Sequence, residues 1–241
     1  MSMIPEKPPF KILDILYKKE FILFVVLVSI LIINSNISPY FLDLYNLIDS
    51  TFLFSEKAII ALTMTFVIIA RQIDLSVASI IAVSSCVLGY TTSLGYDTWL
   101  VISLTLLSGA ICGAFNGAII TKFAIPSIIV TIGTMSLFRG LAYSFLEDSY
   151  YNKFPKLVSN LGGGYLFGYI PYAFLTFIIL AIIFAFILHK TSIGKKIYSI
   201  GNNPDAAQYT GISVDKYTFV LFTLNGLFSA LAAIFLSGRL S

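Results

Sequence analysis

The sequence predicts an all-α protein that crosses a membrane several times, and three observations carry that expectation. Hydrophobic residues make up 58% of the 241 residues and charged residues only 11%, against roughly 25% charged in soluble domains. Apolar runs close to the roughly 20 residues a helix needs to span a bilayer recur along the chain. These runs do not alternate, whereas the strands of a membrane barrel would. A helix satisfies its own backbone in lipid, so helices are the expected solution.

The apolar periodicity places about seven spans, at 20–37, 53–70, 75–92, 98–118, 126–146, 171–189 and 217–236. The first run, Phe21 to Ile33, leads into Asn34 and Asn36 without a small-residue cleavage pattern, so it reads as a span and not as a removable leader. Lys7, Lys11, Lys18 and Lys19 precede it, and Lys190, Lys195, Lys196 and Lys216 lie in a later polar stretch. The segments 38–50 and 93–97 carry no Lys or Arg. The positive-inside rule then puts the N-terminus and residues 190–216 in the cytoplasm, which six crossings between them allow. Residues 147–170, with Glu147, Asp148, Tyr150, Tyr151 and Gly162 to Gly164, are expected outside. The net charge of +3 is a topology signal and implies no nucleic-acid partner.

Cys86 and Cys112 sit inside apolar runs and read as small buried hydrophobes, without the partners a disulfide or metal site needs. His189 closes an apolar run beside Lys190, as a helix C-terminal residue at the interface does. No metal site or cofactor is expected.

The second and third spans suggest a broken pair. From Ala58 to Thr92 the chain offers roughly 52 Å of helix, short of the about 60 Å that two crossings require. Glu56 and Lys57 interrupt the leading end, and Arg71-Gln72-Ile73-Asp74 interrupts the middle. Asp74 is placed to cap the next helix through the amide of Ser76 or Val77, with Arg71 available to neutralise it. The alternative is a direct place in a transport path, because ionisable groups at membrane depth are expensive. In the fourth span Gly109, Gly113 and Gly117 share one face, which suits close helix packing, with Asn116 beside it as packing or path lining. Arg139, deep in the fifth span, must snorkel, pair or face a wet cavity. Asn225 and Ser229, one turn apart, are placed to bond a neighbouring helix. Asp74, Asn116, Arg139 and Asn225 are the path candidates, and they form no catalytic constellation.

The polar island 191–216 carries its own helix signals. Asn203 suits an N-cap, Pro204 the first helical position and Asp205 the first turn. Gly211 suits the left-handed residue just past the end. Ala206 and Ala207 keep the helix surface small. A phosphate-binding loop would need glycine where His189 stands, and the Gly162–Gly168 stretch misses the dinucleotide pattern at Phe167. Any ATP must be bound by another chain.

Three ordered blocks, IDLSVAS (73–79), GAFNGAIITKFAIPSIIVTIGTMSLFRGLAY (113–143) and TSIGKKIYSIGNNPDAAQYTGI (191–212), resemble the permease subunits of bacterial ribose-type sugar ABC importers. The resemblance runs from about residue 39 to the end. Ala78, SPYF (38–41), FSEKA (54–58) and PSIIVTIGTMSLFRG (126–140) look most like the rhamnose-type branch. Family members usually carry Gly-Gly before IDLSV and Gly after it, where this chain has Arg71-Gln72 and Ala78.

The resemblance implies a non-enzymatic translocation subunit in the bacterial inner membrane. It also implies a second permease copy or paralogue, a cytoplasmic ABC ATPase and a periplasmic sugar-binding protein. It assigns the island, with Gly194, Asn203, Pro204, Asp205, Ala206, Ala207 and Gly211, to ATPase coupling. The expected domain is a single permease bundle over 1–241, with 191–216 as its cytoplasmic coupling segment. Family permeases continue through further helices, so the chain reads as C-terminally truncated and not able to support uptake alone. The rival classes are an ion-coupled secondary transporter, disfavoured by the lack of an internal repeat, and a structural membrane subunit.

Overall fold

The computed structural model describes residues 19–146 and 151–241, with side chains from Phe21 onward. The expectations on Lys7, Lys11, Lys18, Glu147, Asp148 and Tyr150 lie outside the described residues. The element order is α1 (Lys19–Ile37), α2 (Leu44–Ile69), α3 (Val77–Ser93), α4 (Thr98–Phe123), α5 (Ser127–Leu146) and α6 (Lys156–Gly163). A two-residue antiparallel hairpin follows, β1 (Tyr165–Leu166) with β2 (Ile170–Pro171). Then come α7 (Tyr172–Lys190), α8 (Ser192–Asn202), α9 (Pro204–Tyr209) and α10 (Val214–Arg239).

Among the described residues, α2, α4, α5, α7 and α10 are long and apolar enough to cross a membrane, and α1 and α3 are shorter apolar helices. The protein is a polytopic helical membrane protein, as composition and span length require.

The chain divides into two compact units, Met1–Leu47 and Ile48–Ser241. In the first, α1 exposes apolar side chains almost all round. Its polar groups turn back on the helix: Ser29, Asn34 and Asn36 donate to the carbonyls of Val25, Ile30 and Ile32, each at 2.8 Å. Each of these side chains thereby finds an acceptor on its own helix.

In the second unit α10 is the central element. Gly109, Gly113 and Gly117 of α4 bring the two backbones together. A methyl group on Gly113 would fall on the carbonyl oxygen of Phe222, and one on Gly226 would fall on that of Gly109. At one end of the bundle, Phe66, Val67, Ala70, Ile120, Val130, Leu188 and Phe222 form one apolar core with Ile197, Ile200 and Ala207 of the island. At the other end Leu88, Val101, Val158 and Ile234 pack together. There α6 rests on the end of α10, because Gly162 and Gly238 leave room for each other's backbone. The free cysteines Cys86 and Cys112 are buried between α3, α4 and α5.

Two expectations are corrected. Glu56 and Lys57 do not interrupt the second span, because α2 starts at Leu44 and runs straight through them. Glu, Lys and Ala are good helix formers, and the buried Glu56 carboxylate accepts from Arg239 Nε at 2.9 Å, the one ion pair among the described residues. The island also holds two helices and not one. The helix missed is α8, whose buried Gly194, Ile197 and Ile200 fall on one stripe while Lys195, Lys196 and Tyr198 are exposed.

Candidate functional site

The break between α2 and α3 is built by a helix stop in an unusual residue. The amide of Arg71 donates to Ile68 O at 2.9 Å and that of Gln72 to Val67 O at 3.0 Å, a Schellman ending. Arg71 occupies its left-handed position at φ +58. The same pair of bonds ends α3 at Gly95 (φ +73) and α9 at Gly211 (φ +85). Arginine therefore stands in a backbone state that glycine fills in the other two, at a strain of about 1 kcal/mol. The joint keeps the left-handed turn without the glycine.

Beyond that stop the chain enters the protein interior. The Asp74 carboxylate is 2% exposed. Its Oδ1 accepts from the Ser76 amide at 2.9 Å and from Ser76 Oγ at 2.6 Å, and its Oδ2 accepts from Asn225 Nδ2 at 2.8 Å. Asn225 Oδ1 accepts in turn from Thr63 Oγ1 at 2.7 Å, and Asn116 Nδ2 donates to Ser76 Oγ at 2.8 Å. The flanking backbone is held from α5: Ser127 Oγ accepts from the Ile73 amide at 3.0 Å, and Thr131 Oγ1 donates to Ile73 O at 3.2 Å.

Four helices thus converge on one seven-residue break, residues 70–76. Asn225 lies near the middle of α10, roughly 16 Å from its first residue at 1.5 Å per residue. The break is therefore deep in the bundle, where every polar group needs a partner. Ser79 Oγ and Asn116 Oδ1 are the two buried side-chain atoms without one among the described residues.

Of the four polar residues singled out from the sequence, Asp74, Asn116 and Asn225 meet here, and Arg139 does not. Arg139 is exposed on the outer side of α5, whose inward positions are Val130, Thr131, Thr134, Phe138 and Ala142. It is one residue, about 100°, off that stripe, so it does not join the group around Asp74. Arg71 is exposed and forms no ion pair with Asp74, whose charge is met by hydrogen-bond donors instead. Thr63, Ser127 and Thr131 were missed. Each is a lone hydroxyl in an apolar run, where bonding to its own helix is the ordinary outcome.

The island docks against the same region. A methyl on Gly201 of α8 would strike the Ile69 carbonyl, two residues before Arg71. Asn203 Oδ1 accepts from the Ala206 amide at 3.0 Å, with Pro204 in the first turn beside Asp205. Asn203, Asp205, Ala206 and Gly211 are exposed and Pro204 is half-buried. Ala207 is 1% exposed and packs inward, and Gly194 is buried against the Leu188 carbonyl. Those two shape the island but present no surface, so only Ala206 of the alanine pair faces outward.

Residues 46–241 match the protein family described as "Branched-chain amino acid transport system / permease component". The chain belongs to that permease family. The permease is 35% identical over 225 residues to the ribose import permease protein RbsC of Haemophilus influenzae, across 90% of this chain and 68% of that protein. It is 36% identical over 222 residues to RbsC of Bacillus subtilis, across 90% and 68%. It is 33% identical over 229 residues to the autoinducer 2 import system permease protein LsrD of Klebsiella pneumoniae, across 89% and 66%. The permease spans about two thirds of the length of these relatives. No solved structure matches it. The ribose-type likeness carried by the three sequence blocks is borne out, while none of these three relatives is named for rhamnose.

Proposed function

We propose that this chain is the translocation subunit of an ATP-driven importer for a ribose-type monosaccharide or a similarly small polar solute. Its N-terminus and residues 190–216 lie on the cytoplasmic side of the inner membrane. A separate ABC ATPase hydrolyses ATP, a periplasmic protein delivers the solute, and a second permease copy or paralogue completes the pathway.

One observation carries this reading: the island and the joint share a single core. Ala207, Ile197 and Ile200 pack with Phe66, Val67 and Ala70, and Gly201 rests on the Ile69 carbonyl. A push on the exposed side of α9 is transmitted through close-packed atoms to the residues that hold Asp74. A partner that changes shape with ATP would use such a link to open and close a path beside α3. A rhamnose-type solute is the finer alternative, supported by the motif likeness alone.

The test is solute uptake into proteoliposomes containing this chain, its ATPase and its binding protein, with labelled ribose and autoinducer-2 as separate arms. Uptake in either arm that requires ATP supports the reading. Uptake driven by an ion gradient without ATP points to a secondary transporter; assembly with the ATPase but without uptake agrees with the expectation that further helices are needed, and failure to bind either partner points to a structural subunit. Ala206→Arg projects into solvent, so it should leave membrane abundance unchanged while abolishing ATPase co-purification and uptake. Wild-type behaviour of that variant would remove the docking role from α9.

A further inference from the structure

A cavity of about 460 Å³ opens between α2, α7, α8 and α10, and nothing described so far uses it. Its floor is buried and consists of Thr63, Phe66, Ile197 and Leu221. Phe184, Ile187, Val220 and Leu224 supply apolar walls, and the exposed Lys196 and Lys216 stand at its rim. Lys196 Nζ lies 5.8 Å from the Tyr217 ring centroid, which holds the ammonium over the opening.

We propose that this cavity binds an anionic phospholipid from the leaflet on the island side. One acyl chain would lie against Phe184, Val220 and Leu224, and the phosphate would sit between Lys196 and Lys216. Three features point to that occupant. The rim lies where α7 ends in His189 and Lys190 and α10 begins at Val214, so apolar spans give way to polar chain at the height of a headgroup. The two rim lysines supply the charge complement, and basic pockets between helices at a membrane surface are suited to anionic headgroups.

The third feature is the floor, which asks for nothing polar. Thr63 Oγ1 already bonds to Asn225 Oδ1 at 2.7 Å and to Ile60 O at 3.0 Å. A sugar would leave its hydroxyls unpaired against these walls. The lipid would wedge between α8 and α10, beside the contact that joins the island to the bundle. This inference rests on the membrane placement alone, so its failure and that of the transport reading are separable.

The experiment is native mass spectrometry of the purified full chain titrated with dioleoylphosphatidylglycerol, with dioleoylphosphatidylcholine, or with inorganic phosphate. Retention of phosphatidylglycerol should exceed that of phosphatidylcholine by roughly thirtyfold, given two lysines at a membrane surface. Lys196→Gln with Lys216→Gln should abolish the preference, while Lys190→Gln with Lys195→Gln should preserve it. Val220→Trp, which fills the wall, should reduce binding of both lipids. Equal retention of the two lipids, or a preference that survives loss of both rim lysines, overturns the proposal. Competition by inorganic phosphate alone overturns it too, because the site would then be a simple anion site.

Discussion

Asp74 is the residue on which most of the interior polarity converges, and its chemistry can be tested by exchange. Asp74→Leu leaves the Ser76 amide and Asn225 Nδ2 without an acceptor and should remove about 3 kcal/mol or more of stability. Asp74→Asn keeps an acceptor for Ser76, and a flip of the Asn225 amide restores complementarity, so about 1 kcal/mol is expected. Asn225→Asp alone sets two carboxylates against each other and should be severe near neutral pH. The double exchange Asp74→Asn with Asn225→Asp rebuilds every bond, with donor and acceptor reversed only between 74 and 225, since Ser76 and Thr63 still donate to the oxygens that face them. Melting temperatures of the four variants in detergent check this, and a double variant no more stable than Asn225→Asp alone would refute the network. Asp74 was legible in the sequence because a carboxylate between apolar runs must be paired. Thr63 and Thr131 were not, because a hydroxyl satisfied by its own helix and one bonded across helices look identical in a sequence.

At the scale of elements, the spacing of glycines separates contact from accident. Gly113 of α4 lies against the Phe222 carbonyl and the Gly226 backbone, whereas Gly133 of α5 has open space around its missing side chain. Gly113→Ala should therefore lower the melting temperature, since backbone cannot move aside as a side chain can. Gly133→Ala should raise stability by up to about 1 kcal/mol through helix propensity. A similar loss from both substitutions would show that the α4–α10 seam is not the close contact described. The spans themselves were readable from length and hydropathy, which the bilayer imposes on any sequence. Helix α8 was not, because eleven residues with three inward positions resemble a charged loop until the core they face is known.

For the molecule as a whole, the proposed sidedness follows from lysine distribution and has a direct check. Tyr209 in the island is 93% exposed and Tyr169 in the hairpin is 66% exposed, so a cysteine at either will meet reagent. The native Cys86 and Cys112 are buried and provide a quiet background. An impermeant maleimide applied to intact spheroplasts should label Tyr169→Cys and spare Tyr209→Cys. The reverse pattern would invert the topology and place the island outside.

The partnership between distant residues also sets a clock on biosynthesis. Asn225 leaves the ribosome 151 residues after Asp74, and Arg239 follows Glu56 by 183. At about 5–20 residues per second these carboxylates wait roughly 8 to 37 s for their partners. During that interval Glu56 of α2 lacks its arginine, and Asp74 before α3 holds only its bonds to Ser76. Both helices must then linger in the insertion machinery, or beside water, until α10 emerges. The last helix described here is thus the one that releases the first ones into the bilayer.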